Sequence, residues 1–440
     1  MQKLIDGLST PSSKSELELF SVPPTQVAVE HSRWREIPLA NACTNNGPYE
    51  FHIPPSPHML HLSRNYLIIE LRIRNADGTN MVHPAAGGGP LVGPINLIGK
   101  TLFNQVRLFL NGSEVFNSGT HYAYRTFLET ELNFGKDAKD SQLDAALYHQ
   151  DTPPADIDTA NNTGLAERAG PFQNSARVQV MAPIHCDLFL QDRFLVSQID
   201  VRLQLHRNTN QFSLISHEAQ AAFELDVEGM RWLVKTVEVA PSVGLAIERA
   251  LHETSAKYPI RRVEIKSMNV AAGMRSTPDN ALFNGQIPRR LLIGCVDNDA
   301  FHGTYTKSPF NFKNFDIRKV SILVAGEYYP AKPLNLHFGD DMYMHALVQL
   351  FEGLGMGGEN KGNGVDRAKF KNGCCLFAFD LSPDEDDSSG HWDLIKEGPV
   401  SIQLEFGTAL PNPVEVIAYA EFDNLLTIDK TRSTFVDYKT

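Results

Sequence analysis

Basic clusters, cysteine pairs and long apolar runs are all missing from this chain, and each absence removes a class of function. Lysine and arginine number 40 against 52 acidic residues, for a formal charge of −12. No basic stripe runs along any segment, whereas a dedicated nucleic-acid binder clusters its cations to neutralise phosphates. Arg261-Arg262 and Arg289-Arg290 are isolated pairs, of the kind that sits at strand edges or interfaces. The five cysteines, Cys43, Cys186, Cys295, Cys374 and Cys375, are odd in number and lack metal-ligand spacing. They predict reduced, mostly buried thiols in a cytosolic or nuclear compartment. Cys374 and Cys375 are adjacent, so a strand there would turn one side chain inward and the other outward. No apolar stretch is long enough to cross a bilayer, and the first residues carry no signal-peptide pattern, so the expected product is soluble and unsecreted. In such a chain the acceptor-like Asn111-Gly-Ser and Asn161-Asn-Thr carry no meaning for glycosylation.

Catalytic and ligand-binding patterns are missing too. Gly93-Pro-Ile-Asn-Leu-Ile-Gly99-Lys-Thr101 has the outline of a phosphate loop. Five residues separate its glycines where the cradle requires four, and Pro94 has no amide proton to donate. His58 and His61 stand three apart with no acidic or third histidine ligand following, and Pro54 and Pro57 predict a loop around them. Gly-x-Ser-x-Gly does not occur. Asp384-Glu-Asp-Asp387 reads as a solvated acidic turn, with a weak hard-cation site as its alternative. No catalytic, cofactor-binding or metal-ligating residue is assigned, and no cofactor is expected.

What the chain does contain is a repetition. Gln105-Val-Arg-Leu-Phe-Leu-Asn-Gly112 and Lys319-Val-Ser-Ile-Leu-Val-Ala-Gly326 each form a strand closing in a glycine turn. A helix-like block follows each, residues 121–135 and 341–355, the first with an apolar stripe of Tyr124, Phe127, Leu128 and Leu132. A third echo pairs Arg202-Leu-Gln-Leu205 with Ser401-Ile-Gln-Leu404. Three echoes in one order predict two related β-rich domains in tandem, and two long copies are a domain duplication, not a solenoid. At 440 residues, two domains also fit the usual size.

Along the chain, residues 1–29 are polar, then proline-rich, and predict an extended arm. Ile69, Leu71 and Ile73 alternate with Glu70, Arg72 and Arg74, as in a half-buried antiparallel strand. Further strands are predicted at 177–180, 187–190, 199–205, 223–239, 258–266, 373–379, 400–406 and 414–422. The boundaries expected are a first domain over 30–240, a helical linker over 241–256 and a second domain with the C-terminal tail over 257–440. The long stretches 81–94, 136–175 and 355–372 are expected to clasp neighbouring chains or build outer towers. Short strands divided by turns predict an all-β sandwich or barrel.

Several long segments carry a family resemblance. Phe20-Ser-Val-Pro-Pro-Thr-Gln26, Val92-Gly-Pro-Ile-Asn-Leu97, residues 122–143, Phe189-Leu-Gln-Asp-Arg-Phe-Leu195, Ala256-Lys-Tyr-Pro-Ile-Arg-Arg262, residues 293–315 and Ala418-Tyr-Ala-Glu-Phe-Asp423 lie in one collinear series. From about Phe20 to Tyr438 the chain resembles the hexon-like major capsid protein of Maverick/Polinton elements and the related adintoviruses. The resemblance implies a double jelly roll, two eight-stranded antiparallel sandwiches in tandem with short helices in the loops. It implies a homotrimeric, pseudo-hexameric capsomer that tiles an icosahedral shell around a DNA genome, with penton and minor capsid proteins as further partners. It also implies a virion location, with synthesis in the cytoplasm and assembly in the nucleus. Neither specific nucleic-acid binding nor a membrane span is implied. The competing readings are a carbohydrate-binding or carbohydrate-active sandwich, for which Trp34, Trp232 and Trp392 are too dispersed, and a domesticated copy that keeps the fold without assembling.

Overall fold

In the computed structural model, residues 8–10, 12–81, 91–217, 222–358, 360–383 and 392–436 are described. The alternation at Ile69, Leu71 and Ile73 lies in one long strand, Met59–Asn75, with all three side chains wholly buried. Eight strands before residue 240 form the first sandwich: β1 (Val29–Pro38), β2 (Tyr49–Ile53), β3 (Met59–Asn75), β4 (Phe103–Leu110), β5 (Ser113–Asn117), β6 (Val178–Ala182), β7 (Val201–Arg207) and β8 (Phe223–Val239). Their two sheets run β1-β8-β3-β6 and β2-β7-β4-β5. Eight more form the second: β9 (Ala256–Val270), β10 (Ala281–Phe283), β11 (Arg290–Asp297), β12 (Ile317–Val324), β13 (Glu327–Asn335), β14 (Leu376–Asp380), β15 (Val400–Phe406) and β16 (Val414–Ile428). These sheets run β9-β16-β11-β14 and β10-β15-β12-β13. Adding eight to each strand number of the first sandwich gives the second. The fold is a double jelly roll.

The repeated glycine turns are equivalent in detail. Asn111 and Gly112 have φ of 49° and 81° between β4 and β5, and Ala325 and Gly326 have 50° and 94° between β12 and β13. Positive φ at both central residues is the turn whose twist matches antiparallel strands. Nothing lies within 4 Å of a Cβ built on either glycine, so backbone conformation, not space, requires glycine there. The helices α1 (Tyr122–Asn133) and α3 (Met344–Gly353) follow β5 and β13 respectively. Between the sandwiches lies α2 (Pro241–Glu253), with Pro241 in its first turn, where a missing amide proton costs nothing.

Four expectations are corrected. Asp187–Leu190 is a 3-10 turn, not a strand. Its buried Leu188 and Phe189 are covered through tertiary packing, which local alternation does not encode. His61 lies within β3, which begins at Met59, because Pro54 and Pro57 both precede the strand. Cys374 and Cys375 are both buried: the outward-facing partner is covered by the other sandwich, since Cys374 shares a small cavity with Phe127, Glu131 and Tyr148. Residues 136–175 fold into short helices that bury Leu143, Leu147, Leu165 and Phe172 and do not project from the surface. Of the stretch 81–94, residues 82–90 lie outside the described residues, as does Asp384–Asp387.

Candidate functional site at the junction of the two rolls

The helix α1 is the centre of the molecule. Every residue from Tyr122 to Leu132 is buried, although the sequence shows only one apolar stripe. One side packs on the first roll, where Lys100 Nζ donates to Thr130 Oγ1 at 2.8 Å. The other side packs on the second roll. Phe127 stacks on Phe310 with ring centroids 4.2 Å apart, and Tyr124 meets Phe301, Phe310 and Phe312. Rings buried in this way contribute roughly 1.5–3 kcal/mol each, so the two rolls are held as one body.

A helix buried on all sides must pair its charges, because an unpaired buried ion is costly. Arg125 Nε donates to Glu129 Oε1 at 2.8 Å, and its guanidinium also bridges to Asp187 Oδ1 at 2.7 Å. Glu129 Oε2 accepts from His185 Nδ1. From the second roll, the Tyr419 hydroxyl stands 3.2 Å from Glu129 Oε1 and 2.8 Å from Glu421 Oε1. Lys100 Nζ lies 3.1 Å from His185 Nε2. An ammonium only donates, so Nε2 carries a lone pair and His185 is the neutral tautomer with its proton on Nδ1.

The titration of these groups follows from their surroundings. Burial, reinforced by Lys100, outweighs the pull of Glu129 and lowers His185 to about 4. Burial alone would raise Glu129, but Arg125 and His185 overcome it and bring the carboxyl to about 2. Burial lowers Lys100 to about 8 against the opposing attraction of Glu129. Burial raises Asp187 despite its guanidinium partner. A carboxylate held ionised at about 2 is no proton donor at neutral pH, so Glu129 is unsuited to the acid role that a glycosidase pair requires.

A second clasp lies beside the first. Glu131 accepts from Tyr148 Oη at 2.9 Å, Lys139 Nζ at 2.9 Å and, from the second roll, Lys369 Nζ at 2.5 Å. Lys139 also donates to the Asn363 carbonyl at 2.6 Å. Asp158 accepts from Asn311 Nδ2 at 2.6 Å and from the Ser308 amide at 2.8 Å. Lys139 and Asp158 of residues 136–175 and Asn363 and Lys369 of residues 355–372 therefore clasp the other half of their own chain. Lys139, Asp158 and Lys369, polar residues of these stretches, are spent on these internal bonds.

The remaining sequence features serve the framework. Gly93 and Pro94 lie in a small strand, Val92–Pro94, paired with Leu214–Ser216, and a Cβ on Gly93 would meet Leu165 at 2.9 Å. Ile98–Thr101 is wholly buried, which leaves no space for a phosphate. His61 rests on the Phe194 ring, centroids 4.9 Å apart. No group of three metal-ligating side chains converges among the described residues. Trp34 lies on β1, Trp232 in the first core and Trp392 beside the junction cleft of about 720 Å³, so no aromatic platform forms from them. No described helix is long and apolar enough to cross a membrane. The functional residues that the sequence reading missed are those of the junction. Their one signal was the density of charge on α1, where Arg125, Glu129 and Glu131 interrupt an apolar helix.

No family model matches the chain. The uncharacterized protein F54H12.2 of Caenorhabditis elegans is 31% identical over 425 residues, which cover 94% of this chain and 99% of that protein. Among solved structures, a chain of the Sputnik virophage aligns with a TM-score of 0.66 at 13% identity, covering 99% of this chain and 94% of its own. The Faustovirus major capsid protein aligns with a TM-score of 0.58 at 10% identity, over 96% and 95%. The mavirus major capsid protein gives 0.56 at 12% identity, over 99% and 96%. These structural neighbours are viral double jelly-roll major capsid proteins.

Proposed function

The chain belongs to the same family as the uncharacterized protein F54H12.2 of Caenorhabditis elegans, and from its double jelly-roll fold we propose that it is a viral-type major capsid protein. The observation that carries this reading is the junction. Two equivalent rolls are locked by α1 into one rigid two-wedge body, the form of unit from which three copies make a six-wedge prism. The capsomer is a homotrimer that tiles an icosahedral shell around a DNA genome, with penton and minor capsid proteins completing the shell. The chain is of the Maverick/Polinton, adintovirus-related type, made in the cytoplasm and assembled in the nucleus into virions. In this reading residues 1–29 are an arm, 30–240 and 257–440 the two wedges, and 241–256 their linker. The role is structural, with no catalytic step and no cofactor, and the negative formal charge suits a shell that does not grip nucleic acid by itself.

Native mass spectrometry and sedimentation at micromolar concentration test the proposal. A stable trimer is expected in neutral buffer, and shells or hexagonal arrays by negative-stain microscopy. A clean monomer or dimer overturns it.

A further inference from the structure

Besides the junction cleft, a smaller pocket of about 260 Å³ opens where the start of α1 meets the short helix Asn298–His302 of the second roll. Both rolls build it: Asn104 of β4, Tyr124 of α1 and Phe212 from the first, and Ser267 of β9, Phe301 and His302 from the second. Aromatic rings fix its walls. Phe301 stacks on Tyr124 with centroids 5.6 Å apart and lies 5.7 Å from the His121 ring, while Phe212 meets Tyr124 edge-on at 6.1 Å. Ala123, Tyr124 and Phe212 in the lining are buried, whereas Thr120, Thr209 and His302 are exposed, so the pocket is open to a solute.

Two polar atoms of this lining have no partner in the protein. The hydroxyl of Tyr124, a residue 3% exposed, and Asn104 Oδ1 are both buried without a hydrogen bond. Buried polar groups are nearly always paired, because an unpaired one has lost its water without compensation. Two such atoms in the lining of one pocket mark a place that a ligand completes. The larger junction cleft closes on itself instead: its carboxylates Glu129, Asp187, Glu421 and Asp423 each face a guanidinium.

The lining also fixes the chemistry of the ligand. Among the described residues no Asp, Glu, Lys or Arg lines the pocket, and burial lowers His121 despite the attraction of Glu415, so its ring is uncharged at neutral pH. An anion would find no cation there and a cation no carboxylate. An apolar ligand would leave Tyr124 and Asn104 unpaired. Asn104 Oδ1 only accepts and a phenol both donates and accepts, so a ligand hydroxyl satisfies either atom. The volume of about 260 Å³ lies below the roughly 300–1,000 Å³ of sites for drug-sized ligands, which leaves space for one ring. We infer that this pocket binds a single neutral sugar ring, free or at the end of a glycan, with its hydroxyls on Tyr124 and Asn104 and its carbon skeleton against the aromatic wall. The capsid reading stands whether or not the sugar binds, since the pocket lies within one chain.

Saturation-transfer NMR and thermal melting of the full chain with glucose, galactose, mannose and their methyl glycosides test this. At least one neutral ring should receive saturation and raise the melting temperature, and the charged glucuronate should do neither. Methyl glycosides that bind as the free sugars do assign the end of a glycan, and glycosides that are refused assign the free sugar. Tyr124→Phe keeps the ring contacts and removes a hydroxyl without a partner, so in the absence of sugar it should melt no lower than the wild type. Its sugar affinity should fall about tenfold, and so should that of Asn104→Ala, as for the loss of one hydrogen bond. Silence from every neutral sugar at millimolar concentration would mean that water alone fills the pocket, and overturns the assignment. Binding that both variants leave unchanged, or glucuronate binding as well as glucose, overturns it too. A Tyr124→Phe chain that melts well below the wild type would show the hydroxyl already partnered, with the same consequence.

Discussion

Gln204 and Gln403 hold the same register in the two rolls: Gln204 of β7 pairs with Arg107, five residues before Gly112, and Gln403 of β15 pairs with Ser321, five residues before Gly326. Conserved topology alone would not fix the pairing to the residue. The shared register carries an expectation for the two turns. Ala at Gly112 or Gly326 meets no atom but must adopt positive φ, so each substitution should cost about 1–2 kcal/mol in urea unfolding. Similar costs are expected at both. A large cost at one turn and none at the other would mean that the turns are not equivalent.

The duplication was legible because strand alternation and glycine turns are local signals. Ile69, Leu71 and Ile73 needed only their own sequence to identify a strand, and Gly112 and Gly326 needed only their place between two apolar runs. The junction was not legible in that way. The second apolar side of α1 is completed by Phe310 and Phe312, far away in the chain, and Arg125 and Glu129 look like surface charges until Asp187, His185 and Tyr419 are placed around them. The helical stretch 136–175 reads as an outward excursion for the same reason. Its polar residues bond across a junction that no window of sequence contains.

Breaking the charge cluster should loosen the junction. Glu129→Gln removes the carboxylate between Arg125 and His185, and a buried pair broken on one side costs about 3–5 kcal/mol. Tyr419→Phe removes only the hydroxyl shared with Glu421, at about 1–3 kcal/mol. Denaturant unfolding of both singles and the double should give less than the sum, since the two changes remove one contact in common. Full additivity would show that the Tyr419 hydroxyl and Glu129 do not act together.

Acid should weaken the same site. His185 is held at about 4 in the folded chain, below the ordinary imidazole value near 6.5. Between those values the unfolded chain binds a proton that the folded chain refuses, so stability falls as pH drops through that window, by an amount on the order of 3 kcal/mol from this residue. Glu129 acts lower down, its contribution lost only as pH falls toward about 2. Urea midpoints measured from pH 7 to 4 should therefore decline, and His185→Gln should flatten the decline. An unchanged slope in the variant would assign the acid sensitivity elsewhere.

The net charge responds more weakly than a full histidine count implies. Protonating all fifteen histidines would carry −12 to +3. Burial holds His185 and His121 down, and burial with Lys235 does so for His61, so these three charge later than an ordinary histidine as pH falls. Repulsion between copies should therefore fade more gradually than a simultaneous titration of all the histidines would make it. Light scattering at fixed salt should rise as pH falls from neutral, and a flat profile would place the control in local patches.

Removal of residues 1–25 should separate capsomer formation from shell assembly. Leu17, Leu19, Phe20 and Val22 are exposed at 67%, 77%, 98% and 87%, an apolar run that nothing in its own chain covers among the described residues. Surface of this kind gains roughly 25 cal/mol per Å² when buried, so the arm has a reason to lie against a neighbour. The strands of both rolls begin only at Val29, beyond the deleted residues, so the shortened chain should still sediment as a trimer. Negative-stain fields of the deletion should show isolated capsomers where the full chain gives arrays. A deletion that dissociates the trimer would instead place the arm inside the capsomer, and shells indistinguishable from those of the full chain would leave it no part in assembly.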